Sequence, residues 1–241
     1  MRRIGRGLHT VPKLPAGSRL QEHGLGRLYS PAGFAMAWTQ YQAALIADIN
    51  LQVEGTEREH MLLHNVVIET AARPEESTLY NVASQACNNH FYFSTLAERG
   101  VPMGRNLQRE IQGTFDTIDL FKDTMLGTAL GMFGNGWVWA VRDQARKVQV
   151  LATYNSGSPY DVTRITANAT RSRGQLGPKR PAEGLLEPLV VINTWEHAWL
   201  HDYGILGKEK FLHDWWDHVD WELAASGLFN KVSEQQRLVY P

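Results

Sequence analysis

A carboxylate and two imidazoles lie within one short aromatic stretch, NTWEHAWLHDYG, which runs from Asn193 to Gly204. Glu196 and His197 are adjacent in it, and His201 follows one helical turn later. An ionisable group in apolar surroundings needs a partner or a metal ion, because an isolated buried charge is costly. We therefore expect the stretch to belong to an active site, to an interface, or to the remnant of either.

The histidines taken alone give only a generic signal for a metal site. His197 and His201 have the spacing of two ligands on one helix face, and His90 lies in a second aromatic segment, CNNHFYF. Neither a glutamate base nor a third ligand at a diagnostic spacing accompanies them. Residue types alone therefore favour core imidazoles that are hydrogen-bonded to neighbours.

The composition is that of an ordinary globular chain. Its 241 residues include 43% hydrophobic and 20% charged residues, which allow one large domain or two modest ones. The net charge of -1 argues neither for nor against a nucleic-acid partner. A single cysteine, Cys87, excludes an internal disulfide framework and a cysteine-based zinc site. No apolar run is long enough to predict a membrane span.

Hydrophobic periodicity predicts helices followed by a small sheet. Apolar residues recur every three or four positions over residues 31–53, and we expect further helices over residues 60–72, 77–99, 107–121 and 122–130. Alternation after Gly134 predicts a hairpin with Trp137 and Trp139 on one face, and LEPLVVINTW predicts a third, buried strand. EHAWLHDYG and the segment after it predict closing helices. This order is typical of an α+β fold.

Two segments are basic and contain no acidic residue. The first comprises Arg2, Arg3, Arg6, Lys13 and Arg19, which all precede the first acidic residue. This pattern fits a mitochondrial presequence or its stub, and it also fits a basic disordered tail. The second, residues 162–182, lies in the long loop 155–184 between the second and third strands and carries Arg164, Arg171, Arg173, Lys179 and Arg180. A loop of this length is functional or mobile, and the residues alone favour a solvated, mobile insertion.

Five motifs, in order, resemble those of the iron/manganese superoxide dismutases. INTWEHAWLHDY is similar to the family signature DxWEHAYYLxY, SQACNNHFYF to AQVWNHxFYW, and GMFGNGWVWA to GSGWxWL. FLHDWWDHVDWE is similar to WxxxNWE, and YQAALIADIN to HHxxYVxxLN. The resemblance implies an amino-terminal helical hairpin followed by an α/β domain with a small three-stranded antiparallel sheet. We accordingly divide the chain into a basic extension (1–29), a helical hairpin domain (30–103) and a carboxy-terminal domain (104–241).

The resemblance also implies which residues occupy the family's metal-binding positions. That family holds its catalytic metal with three histidines and one aspartate. The corresponding positions here are Ala37, Asn89, Asn193 and His197, so one ligand of four is retained. His90 lies one residue from the second position and is at best a displaced ligand. We therefore expect no catalytic residue and no bound metal.

Other family positions are partly changed. The gateway tyrosine corresponds to Leu45, and the histidine four residues before it corresponds to Tyr41. The glutamine that hydrogen-bonds the metal's solvent corresponds to Gln85 or, in the other family type, to Phe133. Glu196 and His197 keep the pair that bridges two subunits in the family, and we expect them at a dimer interface. A family tyrosine of that interface corresponds to Leu200, which fits a changed partner.

This combination resembles the catalytically inactive dismutase-like proteins of the fungal mitochondrial small ribosomal subunit. The resemblance implies a structural role in the mitochondrial matrix, with the small-subunit rRNA, ribosomal proteins and a dismutase-like paralogue as partners and no membrane. The basic-loop cations would then contact rRNA phosphates. One alternative is a divergent dismutase that uses iron or manganese and recruits His90 or His201. A second alternative is a mitochondrial binding protein outside the ribosome.

Overall fold

The computed structural model describes residues 8–159 and 186–226, and elements are numbered within these ranges. The amino-terminal half is helical. It comprises α1 (Gly17–His23), α2 (Pro31–Phe34), a π-helical segment (Ala35–Gln40), α3 (Tyr41–Val53), α4 (Leu63–Ala71) and α5 (Ser77–Ser94). The second half comprises α6 (Arg105–Phe115), α7 (Ile118–Gly131), β1 (Gly136–Arg142), β2 (Val148–Tyr154), β3 (Glu187–Asn193), α8 (Glu196–Tyr203), α9 (Lys208–Asp217) and α10 (Trp221–Ala225).

The three strands form one antiparallel sheet in the order β2-β1-β3. All seven residues of β1 are buried because helices cover the middle strand and its neighbours flank it. Trp139 donates its indole N–H to Thr153 Oγ1 at 2.9 Å, which satisfies the one polar atom of a buried ring. Trp137 pairs with Asn193 and so fixes the end of β3. The predicted hairpin, buried third strand and α+β class are confirmed.

Two clusters of buried side chains hold the described residues together. One lies between α3, α4 and α5, and the other joins the sheet to α6–α10 and to the chain before α2. The second cluster includes Leu14, Leu20, Leu25 and Leu28. This part of the region expected to be a basic extension therefore belongs to the folded core.

The third predicted helix is wrong at its carboxy-terminal end. α5 ends at Ser94 rather than at Arg99. The chain beyond it pairs with the end of α9, where Ala97 N–H donates to the His218 carbonyl at 2.8 Å. A Cβ at Gly100 would lie 2.4 Å from the Asp217 carbonyl oxygen, so only glycine allows this approach. Tertiary backbone pairing thus overrides the helical pattern of the sequence.

The boundary between the next two predicted helices is also wrong. The structure ends α6 at Phe115 and begins α7 at Ile118, whereas the sequence pattern placed the break after Phe121. Asp116 takes a φ of 60°, and the Thr117 hydroxyl accepts the Leu120 N–H at 3.0 Å as an N-cap. The helix expected over residues 60–72 begins later, at Leu63, after a 3-10 turn at Glu57–His60.

None of the described helices combines the length and the apolar character needed to cross a bilayer.

A cluster of charged side chains closes one end of the sheet. The Arg142 guanidinium lies 2.6 Å from Glu187 Oε2 and 3.0 Å from Glu110 Oε2, and Arg146 also pairs with Glu110. Burial acts to raise the pKa of Glu110, but hydrogen bonds from Arg142 and Arg146 outweigh it and lower that pKa. Arg142 is itself only 8% exposed, so these two carboxylates compensate the buried charge of its guanidinium.

Replacing Arg142 by methionine tests this cluster. R142M keeps the aliphatic stem but leaves two partly buried carboxylates without their shared cation, so we expect a loss of about 2 kcal/mol in unfolding free energy. The control R73M removes an exposed i,i+3 pair with Glu76 and should cost under about 0.5 kcal/mol. Urea unfolding at neutral pH measures both.

The loss of unfolding free energy in R142M should depend on pH. A lowered carboxyl pKa stabilises the fold above the ordinary carboxyl value, and that contribution is lost as pH falls through the lowered value. The difference in unfolding free energy between R142M and the unsubstituted chain should therefore become smaller as the pH is lowered. A deficit that is independent of pH would show that lost packing, not charge, is responsible.

Candidate functional site

Three parts of the fold bring the four predicted ligand positions to one buried region. The π-helical segment carries Ala37, α5 carries Asn89, and the junction of β3 and α8 carries Asn193 and His197. α5 packs against β3, and α8 packs against the π-helical segment. Ala37, Asn89 and Asn193 are completely buried.

A network of amides connects the first two positions. Asn89 Nδ2 donates to the Ala37 carbonyl at 3.2 Å and to Gln42 Oε1 at 3.0 Å. Gln42 Nε2 in turn donates to the Ala86 carbonyl at 3.0 Å. Sequence reasoning did not select Gln42, although a glutamine on the apolar face of a helix is the kind of residue that needs a buried partner.

His90 follows Asn89 on α5 and has different surroundings. Its ring lies 6.0 Å from the Trp38 ring, centroid to centroid. Burial lowers the pKa of His90 to about 4, so the imidazole is neutral near pH 7. The side chain that donates to the Ala37 carbonyl is that of Asn89, the residue that the resemblance places at the second ligand position.

The side-chain oxygen of Asn193 holds the turn that precedes α8. This Oδ1 atom accepts the Trp195 N–H at 2.9 Å, immediately before α8. This hydrogen bond satisfies one of the free amide groups at the start of the helix. The other end of the carboxamide, Nδ2, is buried and has no hydrogen-bond partner.

His197 is held by an aromatic contact. Its ring centroid lies 3.9 Å from that of Tyr41, with 35° between the ring planes. Burial lowers the pKa of His197 to about 4 and raises that of Tyr41 to about 12, so both rings are neutral near pH 7. His197 Nε2 is buried without a hydrogen-bond partner. Glu196 and His201 are exposed on the same helix.

These residues do not fit a metal ion that cycles between two oxidation states. Ala37 has no donor atom in its side chain, and the Asn193 oxygen is occupied by the Trp195 N–H. The remaining side-chain donors at the four positions are the neutral His197 Nε2 and Asn89 Oδ1, without the carboxylate that offsets the charge of a trivalent ion. Within residues 8–159 and 186–226, no three His, Cys, Asp or Glu side chains are grouped so as to hold a metal.

A pocket of about 370 Å³ lies beside this region. Its lining is entirely uncharged and consists of Tyr41, Leu45, Asn81, Val82, Gln85, Asn155, Ser156 and Trp195. Gln85 Oε1 and Trp195 Nε1 are buried without partners. A neutral lining does not attract an anionic substrate by electrostatic steering.

The five cations predicted to contact RNA, Arg164, Arg171, Arg173, Lys179 and Arg180, lie outside the described residues. The described chain is anchored on both sides of them. Asn88 Nδ2 donates to the Gly157 carbonyl at 3.0 Å on one side, and Glu187 pairs with Arg142 on the other.

The chain is similar both to dismutases and to mitochondrial ribosomal proteins. Residues 102–227 match the sequence model of the carboxy-terminal domain of iron/manganese superoxide dismutases. The chain is 30% identical over 235 residues to small ribosomal subunit protein mS43 of Schizosaccharomyces pombe, covering 93% of this chain and 85% of that protein. It is 28% identical over 164 residues to mS42 of the same yeast, covering 65% and 69%. It is 27% identical over 222 residues to an iron superoxide dismutase of Legionella pneumophila, covering 91% and 98%.

The buried imidazoles predict how stability depends on pH. The pKa of His197 is lowered from 6.5 to about 4 in the folded chain. Between these two pH values the unfolded chain therefore binds a proton at this histidine and the folded chain does not. We expect the unfolding free energy to be fully developed above pH 6.5 and to fall as pH decreases toward 4. H197F should reduce that slope by about 1.4 kcal/mol per pH unit, the value for one proton.

The matched control for this measurement is H201Q, which changes an exposed histidine on the same helix and should leave the slope unchanged. Equal slopes for H197F and the unsubstituted chain would show that the His197 imidazole is not held neutral by burial.

Proposed function

We propose that this chain, which belongs to the iron/manganese superoxide dismutase family, is a structural protein of the mitochondrial small ribosomal subunit without a catalytic metal. Its relatives include both small ribosomal subunit proteins and iron superoxide dismutases, so family membership alone leaves both roles open. The residues at the family's metal-binding positions must therefore distinguish the two roles. The observation that carries the proposal is the contact between Ala37 and Asn89, in which two amide groups meet where the resemblance places two ligand imidazoles.

The amide network explains how the fold persists without a metal. In a metalloprotein, ligand bonds contribute to folding free energy, and their loss leaves polar groups that need new partners. Asn89 and Gln42 provide such partners within the protein. The resemblance places Gln85 beside the metal-bound solvent and not among the ligands. A residue in such a position orients the ligands and tunes the metal, but it does not replace a missing ligand.

The proposed partners are the small-subunit rRNA, neighbouring ribosomal proteins and a second dismutase-like protein. Phosphate contacts would come from the loop that contains the five cations, since Lys and Arg neutralise phosphates without reading sequence. Glu196 and His197 would lie at the interface with the dismutase-like partner. Glu196 is exposed on the isolated chain, as an interface carboxylate must be. The proposed location is the mitochondrial matrix.

Sedimentation of an organelle lysate tests the ribosomal role. The tagged chain should move with the small-subunit rRNA through a sucrose gradient. A variant in which the five loop cations, Arg164, Arg171, Arg173, Lys179 and Arg180, become glutamine should shift toward the top, and more so at higher salt. The matched control changes Arg105 and Arg109, which lie on α6, and should sediment as the unsubstituted chain does. An unsubstituted chain that stays at the top would contradict the proposal.

Metal analysis tests the enzymatic alternative, which the similarity to an iron superoxide dismutase over 98% of its length supports. Protein purified from cells grown with iron and manganese should carry neither metal in stoichiometric amount. A variant with A37H, N89H and N193D restores the ligand types and serves as the positive control for metal uptake. Stoichiometric metal in the unsubstituted chain, together with superoxide turnover, would establish the alternative.

A further inference from the structure

A groove with a volume of about 190 Å³ lies between α7 and α9. The two helices run antiparallel. At one end the Lys122 ammonium lies 5.4 Å from the centre of the Trp216 ring, and at the other end Lys208 Nζ donates to the Met132 carbonyl at 3.3 Å. None of the lining residues belongs to α8, so the groove is separate from the pair of residues expected at the dimer interface.

The floor of the groove is apolar and open. Leu126 and Leu212 are 7% and 1% exposed and belong to the core, whereas Leu130 is 46% exposed at the rim. Gly127 lies beside these leucines on α7, and a Cβ at this glycine would meet no atom within 4 Å. The chain itself therefore leaves the space above Gly127 open and Leu130 only half covered. Such apolar surface gains free energy when another apolar group covers it.

Two carboxylates flank this floor without a cation of their own. Asp123 of α7 and Glu209 of α9 line the groove and are exposed. Neither carboxylate forms an ion pair within residues 8–159 and 186–226. The lysines next to them in sequence bind an aromatic ring, a backbone carbonyl and a different carboxylate, and they are Lys122, Lys208 and Lys210. The groove thus carries two negative charges that the described chain does not compensate.

We propose that the groove binds a basic segment of a neighbouring protein by taking up one lysine or arginine side chain. The aliphatic stem of that side chain covers the leucines, and its cationic head lies between Asp123 and Glu209. Long basic side chains suit such a site because their stems lie on apolar surface while the charged end stays at a polar rim. Hydrogen bonds between a cation and a carboxylate are also stronger than those between neutral groups.

The same charges disfavour other occupants. The phosphates of rRNA would be repelled by the two carboxylates. A metal ion would need further ligands, and Asp123, Glu209 and the nearby His213 are not grouped so as to hold one. In the small subunit the groove would therefore face protein rather than RNA, and only this last statement rests on the proposed function.

Binding of a probe peptide to the purified full chain tests the inference. The probe is a blocked peptide with arginine and leucine on one helical face, and a second peptide carries glutamate in place of arginine. Fluorescence anisotropy should show binding of the arginine peptide alone. That binding should weaken as the salt concentration is raised, because salt screens the attraction between exposed charges.

Filling the groove separates an effect on binding from an effect on folding. G127L should weaken binding of the arginine peptide at least about tenfold, because the new side chain occupies the space of the bound stem. Leucine favours a helix more than glycine does, so thermal unfolding should occur at the same or a higher temperature. The matched control is G113L on α6, where a Cβ also meets no atom within 4 Å, and its affinity should change less than about twofold.

Removing the two charges tests the other half of the site. D123N/E209Q should weaken binding of the arginine peptide about fivefold. The control E54Q/E57Q removes two exposed carboxylates outside the groove and should leave the affinity unchanged.

Three results would overturn the inference. The arginine peptide could fail to bind, or it could bind G127L and the unsubstituted chain equally. A single-stranded RNA could instead bind in the same assay and be lost from G127L, which would assign the groove to RNA. All three are measured on the purified chain, so they are independent of whether the chain sediments with the small ribosomal subunit.

Discussion

The hydrogen bond from the Asn89 carboxamide to the Ala37 carbonyl is the interaction on which the rest of this site depends. It joins the π-helical segment to α5 across the place where the family resemblance implies two ligand imidazoles. An amide can donate and accept at the same time, so one side chain bridges the Ala37 backbone and the Gln42 side chain. The two helical segments are therefore joined directly by hydrogen bonds between amide groups.

Other buried polar groups at this site have no hydrogen-bond partner. His197 Nε2, Asn89 Oδ1 and Asn193 Nδ2 are buried without hydrogen-bond partners. Each unsatisfied buried group costs roughly 1–3 kcal/mol, which the aromatic packing of Tyr41 on His197 and the surrounding core must offset. The low pKa of His197 follows from the same burial, because water no longer solvates the protonated ring.

Much of the fold follows from the sequence, and the exceptions have physical causes. Alternation around Trp137 and Trp139 predicted the hairpin because side chains on a strand alternate between faces. The end of α5 was not predictable, since residues after Ser94 pair with a distant part of the chain. At the site, the motif drew attention to Asn89, but it gave no signal for Gln42, because the partner of Gln42 lies on another helix. Exposure of Phe133 and Leu206 could not be read from apolar residue types, which normally predict burial.

The most direct test is a density map of the purified small ribosomal subunit at a resolution that separates side chains around His197. We expect to find the chain within the particle, Asn89 within hydrogen-bonding distance of the Ala37 carbonyl, and no density for an ion at His197 Nε2. A strong peak about 2.1 Å from that nitrogen would contradict this expectation, because that is a metal–imidazole distance rather than a hydrogen bond.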